Sequence, residues 1–286
     1  MLVTSKELYA KAKAGKYAIG AFNTSMLEVT WAIIMAAQEL KAPVIIETSE
    51  GEIDFLTPEI SFAEVKMLAD QVDIPIVLHV DHGKRFEVVE KAVKAGYTSV
   101  HVDGSSLPYE ENAELTKRVV KLAHEHGEIL VEGEIGHITG ASEAHDQEIR
   151  ISRDTLTVPE EAKRFVDETG IDVLAVAIGN IHGVYKNPPT LDFARLEELG
   201  KVVDTYFSLH GGSGIPKDQI KRAISLGVTK VNVSTELRLA FHNGLAKEFA
   251  EHPDNVVPYK YLPLAREAVK KVVESKIKMF GCAGQA

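Results

Sequence analysis

Ala95-Gly96-Tyr97-Thr98-Ser99-Val100-His101-Val102-Asp103 holds a helix stop, a strand and an acid in one short run. A helical pattern over residues 86–95 ends at Gly96, which adopts a left-handed backbone without a Cβ penalty. A strand follows at once and closes on Asp103. The junction recurs as Thr169-Gly170-Ile171-Asp172 and as Leu226-Gly227-Val228-Thr229. Outward from these points the chain alternates. Helical patterns cover 5–15, 25–41, 58–72, 86–95, 109–126, 159–169, 191–203 and 217–226. Strand patterns cover 17–22, 44–48, 74–79, 98–103, 129–134, 173–178, 206–209 and 229–233. Eight such units in 286 residues predict an α/β fold, a (β/α)8 TIM barrel formed by residues 1–286 as one domain. The helix at 5–15 is additional at the N-terminus, and a helical segment at 263–279 follows the barrel. A doubly wound open sheet is the alternative, but no glycine-rich dinucleotide fingerprint follows the first strand.

The composition, 45% hydrophobic and 26% charged, is that of a globular protein. A net charge of −10 with no long basic run argues against nucleic acid as a partner. The only cysteine is Cys282, so no disulfide forms within the chain, which fits a reducing compartment. The N-terminus lacks the basic start and apolar core of a signal peptide. Apolar runs stay far below the roughly 18 residues of a membrane span. A cytoplasmic protein without membrane partners is expected.

Barrel active sites lie at the C-terminal ends of the strands. Those ends carry Asn23, Glu47, Asp81 with His82, Asp103, Glu132 with Glu134, His182, His210, and Asn232 with Ser234. His82, His182 and His210 occupy equivalent places, each followed by glycine. One such histidine alone reads as an ordinary loop residue. Three together match a catalytic zinc site with an open fourth position. His79 and His101 fall inside strands and read as structural. His124, His126, His242 and His252 read as solvated, and His137 and His145 sit in a long polar loop, 136–158, of functional length. Glu132 and Glu134 share one strand face, so one of them is expected at the metal site, with Asp103 as a further candidate. The glycine-rich turn at 210–216 and the helix start at 231–236 can each present backbone N–H groups to a phosphate.

Taken together, several motifs span nearly the whole chain. They are Gly20-Ala21-Phe22-Asn23, His79-Val80-Asp81-His82-Gly83, Asp103-Gly104-Ser105 with Pro108-Tyr109-Glu110-Glu111-Asn112, and Glu132-Gly133-Glu134-Ile135-Gly136. They continue through His182-Gly183-Val184-Tyr185-Lys186, His210-Gly211-Gly212-Ser213-Gly214 and Lys230-Val231-Asn232-Val233-Ser234-Thr235. This set resembles class II, metal-dependent ketose-bisphosphate aldolases, the fructose-1,6-bisphosphate and tagatose-1,6-bisphosphate aldolase family.

The resemblance implies reversible cleavage of a phosphorylated ketose to dihydroxyacetone phosphate and an aldehyde such as glyceraldehyde 3-phosphate. It implies one zinc ion (Zn2+) per subunit, bound by His82, His182 and His210, with Asp103 and Glu134 at an alternative metal position. Asp81 is the implied acid/base at the aldehyde oxygen. Gly183, Lys186, Gly211, Ser213, Asn232 and Thr235 match positions that contact dihydroxyacetone phosphate, with a monovalent cation expected near that phosphate. Asn23 and Ser234 complete the expected substrate-binding set. Arg266 resembles an arginine that reaches a neighbouring subunit's site, so a homodimer or homotetramer is expected.

Two departures stand out. The family's loop carries a glycine pair and then a glutamate base. Here it reads Gly136-His137-Ile138-Thr139-Gly140-Ala141-Ser142-Glu143, with Ser142 in direct register and Glu143 one position on; Glu143 is taken as the base. Ser234 stands where fructose-bisphosphate enzymes often carry an aspartate. Schiff-base aldolases need a lysine at a strand end. Lys230 instead opens the eighth strand pattern, which favours the metal route. An aldolase of the same family acting on another phosphorylated keto-sugar, a zinc hydrolase and a non-catalytic sugar-phosphate binder are the competing readings.

Overall fold

The structure, a computed structural model, describes residues 1–145, 151–188 and 190–286. Eight parallel strands close into a barrel in the order β1-β10-β9-β7-β5-β4-β3-β2. They are β1 (Ile19–Asn23), β2 (Val44–Ser49), β3 (Ile76–Gly83), β4 (Ser99–Val102), β5 (Leu130–Ile135), β7 (Val173–Val176), β9 (Tyr206–Leu209) and β10 (Val228–Val233). Two short strands, β6 (Ala144–His145) and β8 (Val184–Tyr185), pair outside the barrel. The (β/α)8 expectation holds because the strands are buried on both faces and therefore read as apolar runs.

Helices wrap the barrel. An amphipathic example is α5 (Phe86–Ala95), which buries Val88, Val89, Ala92 and Val93 and stops at Gly96 with φ 112°. At the N-terminal end, α1 (Lys6–Gly15) packs on β1 and β10, with Tyr9 buried and stacked on Tyr206 at 5.4 Å. At the other end of the chain, α11 (Pro258–Phe280) lies against α2 (Leu27–Glu39) and α10 (Thr235–Glu251). It buries Val269, Val273, Ile277 and Phe280. The sequence pattern starts this segment at Pro263; the helix runs through that proline from Pro258.

Three other departures from the sequence expectation bear on function. First, β3 does not stop at His79 but continues through Asp81 and His82 to Gly83. Second, a short helix, α3 (Glu50–Leu56), follows β2 directly, nucleated by a capping box between Ser49 and Glu52. Third, Lys230 does not open its strand, which begins at Val228; its side chain is fully buried inside the barrel. Among the described residues, no helix is long and apolar enough to cross a membrane.

Candidate active site

The site begins with an irregularity in β3. Val80 pairs with Val100 and Gly83 with Val102, so Asp81 and His82 together oppose the single residue His101. This is a β-bulge. Neighbours in a regular strand point to opposite faces. Here His82 takes φ 49°, a left-handed value uncommon outside glycine, and the alternation breaks. Asp81 Oδ1 then lies 3.8 Å from His82 Nε2. The His82 N–H donates to His101 Nδ1 at 3.3 Å, which ties the bulge to β4. Gly83 is required beside it, since a Cβ would come within 2.5 Å of Val89 Cγ2 and 2.9 Å of the His101 carbonyl oxygen.

Three imidazoles meet at this bulge. His82 Nε2 is 3.1 Å from His182 Nε2 and 3.0 Å from His210 Nδ1. Behind them, His82 Nδ1–H donates to Asp103 Oδ2 at 2.8 Å and His210 Nε2–H donates to Glu132 Oε1 at 2.6 Å. Those bonds set the tautomers, so neutral His82 and His210 turn lone pairs toward one another. Facing lone pairs at this distance need a proton or a cation between them.

Asp81, His82, His101 and His210 offer ligand atoms within 4.8 Å of one another, and His82, Asp103 and Glu134 form a second such group. His182 is outside both and joins through His82. His101 Nε2 and Glu134 Oε2 are buried without hydrogen-bond partners among the described residues and lie 3.7 Å apart. Imidazoles backed by carboxylates, beside orphaned buried polar atoms, fit a divalent cation.

A charged layer lies beneath, inside the barrel. Lys230 Nζ bonds Glu47 and Glu132 at 2.8 Å each and approaches His79 Nε2 at 3.0 Å. Asn232 Nδ2 donates to both Glu47 oxygens at 3.0 Å. Burial works to raise Glu132, but Lys230 and His210 hold it well below the ordinary carboxylate range. Burial dominates at Glu47 and pushes it up to about 8, with Lys230 opposing. Burial also works against a charged His82, yet Asp81, the Asp103 bond and Glu134 raise it to about 10. His182 is pushed down to about 3 by burial and then by the His82 and His210 charges. Asp81 stays ionised: burial would raise it, but His82, His210 and Lys230 outweigh burial.

A family model described as "Fructose-bisphosphate aldolase class-II" matches residues 3–285. The chain belongs to the class II fructose-bisphosphate aldolase family.

Among its relatives, a "Probable fructose-bisphosphate aldolase" of Bacillus subtilis (strain 168) is 43% identical, covering 100% of this chain and 99% of that one. A "Fructose-bisphosphate aldolase" of Thermus caldophilus is 41% identical, covering 100% of both. The solved YdjI aldolase from Escherichia coli K12 superposes with a TM-score of 0.86 at 35% identity, covering 100% of each chain. Membership makes the protein an aldolase, a carbon–carbon lyase, in a family that is generally zinc-dependent.

The aldolase cavity measures about 490 Å³. Asn23, Asp81, His82, Asp103, His182 and His210 line it. So do Gly183, Gly211, Ser213, Asn232, Ser234 and Thr235. Glu134 lies behind this wall, buried, with Oε2 3.9 Å from His82 Nδ1. Glu143 is exposed and outside the lining, whereas Ser142 is part of it. Lys186 is also exposed and outside the lining. Arg266 is outside the lining and lies over the Trp31 ring at 4.7 Å. The loop is held to its neighbour: His182 N–H donates to the Thr139 carbonyl at 2.8 Å and Val184 N–H to that of Glu143 at 2.9 Å. Residues 146–150 of the 136–158 loop lie outside the described residues.

Sequence reasoning missed His101, Glu52 and Arg238. His101 looked structural because it is mid-strand, yet it joins Asp81, His82 and His210 in a group that could hold a cation. Glu52 had a signal in the Ser49-x-x-Glu52 spacing of a capping box. Arg238 had one in its place one helical turn beyond Thr235.

Proposed function

We propose that this aldolase reversibly cleaves a phosphorylated ketose to dihydroxyacetone phosphate and an aldehyde. Fructose 1,6-bisphosphate is the first candidate, from the relatives' names, and tagatose 1,6-bisphosphate is its competitor because Ser234 stands in the sugar-chain position. The carrying observation is the convergence of His82, His182 and His210 beside an ionised Asp81 in one cavity.

A zinc ion held by His82, His182 and His210, one per subunit, would act as a Lewis acid toward the substrate's carbonyl oxygen. Asp103 and Glu134 would offer it a second position. In cleavage, Asp81 takes the proton from the hydroxyl next to the breaking bond; in condensation it returns that proton to the aldehyde oxygen. Asn23 Nδ2 donates to Asp81 Oδ2 at 2.8 Å and so orients the carboxylate. Glu143, on the loop beside the cavity, is assigned the carbon-bound proton.

Gly211, Ser213 and Thr235 present a turn and a helix start to the phosphate of the dihydroxyacetone half, with Gly183 and Asn232 beside them, and Ser234 stands toward the sugar chain. Lys186 joins them when its exposed side chain swings in, and a monovalent cation balances the same corner. Arg266 faces away from this cavity, so we assign it to the site of a neighbouring subunit in a homodimer or homotetramer. A cytoplasmic setting accords with the single cysteine.

A retro-aldol screen tests the proposal. Fructose and tagatose 1,6-bisphosphates are incubated with zinc-loaded protein, with and without chelator, and released dihydroxyacetone phosphate is measured. Release from at least one ketose, abolished by chelator, is expected. No release from any ketose contradicts the proposal.

A further inference from the structure

His137 stands just beyond β5 and lines the cavity that holds the metal-site histidines. Its backbone is held in place. The His137 N–H donates to the Thr155 carbonyl oxygen at 2.8 Å. Gly136 takes φ 85°, and a Cβ there would come within 2.8 Å of Thr157 N and 2.9 Å of the Thr155 carbonyl oxygen. Two backbone segments pass this closely only at a glycine. Thr157 is buried, donates from Oγ1 to the Ile135 carbonyl at 2.7 Å and accepts from Ala177 N at 2.8 Å. The root of the 136–158 loop is therefore tied to the ends of β5 and β7.

The ring is held as well, and its hydrogen can be placed. His137 Nδ1 lies 3.1 Å from Ser105 Oγ. A hydroxyl has one hydrogen to give. Ser105 gives it to Asp103 Oδ1 at 2.7 Å, and the Ser105 N–H donates to the same oxygen at 3.1 Å. Asp103 Oδ2 accepts from His82 at 2.8 Å, so both carboxylate oxygens act as acceptors. The Ser105 oxygen must then be the acceptor toward His137, and Nδ1 carries the ring hydrogen. In a neutral imidazole the other nitrogen is left with a lone pair. His137 Nε2 makes no hydrogen bond among the described residues, and its side chain is part of the cavity wall. The cavity thus gains an uncharged acceptor at a fixed place.

The substrate atoms that already have partners narrow what meets it. The phosphate of the dihydroxyacetone half is assigned to the turn and helix start, the carbonyl oxygen to the metal and the aldehyde oxygen to Asp81. Hydroxyls further along the aldehyde chain have no partner among these. Each is a donor that a neutral Nε2 can accept from.

We propose that His137 is a specificity residue whose Nε2 accepts a hydrogen bond from a chain hydroxyl of the aldehyde half. This rests on the aldolase function above. It favours polyhydroxylated aldehydes, because a deoxy form turns a carbon-bound hydrogen to the lone pair. The side chain is exposed, so water can replace the missing hydroxyl and the preference is modest.

The test is condensation of dihydroxyacetone phosphate with glyceraldehyde 3-phosphate and erythrose 4-phosphate, and with forms of each that lack one chain hydroxyl. Wild type, His137→Phe and His137→Gln are compared by kcat/KM. In the wild type, loss of the recognised hydroxyl is expected to cost about 3- to 10-fold. His137→Phe should erase that preference. His137→Gln, whose amide oxygen can accept in place of Nε2, should restore part of it. A wild type indifferent to every hydroxyl, or a preference that survives in His137→Phe, overturns the assignment. Solvent exchange of the carbon-bound proton of dihydroxyacetone phosphate, which needs no aldehyde, is measured on the same preparations. A fall in exchange in His137→Phe as large as its fall with hydroxylated aldehydes also overturns the assignment and leaves His137 a positioning residue for its loop. Absence of exchange in the wild type removes the aldolase function itself; exchange without hydroxyl discrimination removes only the role of His137.

Discussion

The interior of the barrel and its rim solve different problems. Inside, Glu47, His79 and Lys230 are wholly buried and Glu132 is 1% exposed, with Lys230 bonded to the other three. At the rim, Arg238 and Glu143 are open to water, and Arg238 bonds Glu52 and the Ser142 carbonyl oxygen from a side chain that is half exposed. A buried network tolerates little change, because each missing partner leaves a charge in a medium that cannot solvate it. The rim can vary at low cost.

Substitutions sharpen that comparison, and the largest effect belongs at the centre. Asp81→Asn is expected to lower kcat by about 10²- to 10⁴-fold while bound zinc, measured by metal analysis, is retained. A small effect would place the proton transfer elsewhere. Next comes Lys230→Met, which leaves Glu47 and Glu132 without their shared cation. It should destabilise the fold by about 3–5 kcal/mol in denaturant titrations, and a loss under 1 kcal/mol, roughly the exposed-pair value, would deny the interior its special status.

A smaller effect is expected from Glu132→Gln. Its carboxylate orients His210, so zinc affinity should fall about 10- to 100-fold in chelator competition. Unchanged affinity would make Glu132 a partner of Lys230 alone. Smallest is Arg85→Ala at the rim, which removes ion pairs with Glu50 and Asp54 from a side chain 53% exposed. Its denaturation midpoint should stay close to that of the wild type, and a clear downward shift would deny the contrast between rim and interior.

The same division explains what could be read in the sequence. The barrel was legible because parallel strands buried on both faces are apolar runs, and because glycines such as Gly96 and Gly170 stop the helices between them. His82, His182 and His210 were legible by their repeated place before glycine. The bulge was not. It depends on the register of β3 against β4 and on a left-handed backbone at His82, neither of which composition or periodicity reveals.

Lys230 escaped because its partners are non-local: His79 is 151 residues away in the chain and Glu132 is 98. His101 was hidden for a related reason, since its role appears only when the bulge places His82 beside it at a ring separation of 4.7 Å. In the rim, the seven residues of α3 include Gly51 and are too few to show a helical period, so Glu52 and its hold on Arg238 were missed.

Proton exchange between dihydroxyacetone phosphate and solvent tests the central claim most directly, because it isolates the half-reaction that the proposed metal site supports. The protein is stripped with a chelator, assayed, then reloaded with zinc and assayed again. Exchange should vanish on stripping and return on reloading. Exchange that persists at the same rate in stripped protein, or fails to appear in zinc-loaded protein, would contradict a metal-dependent aldolase site at His82, His182 and His210.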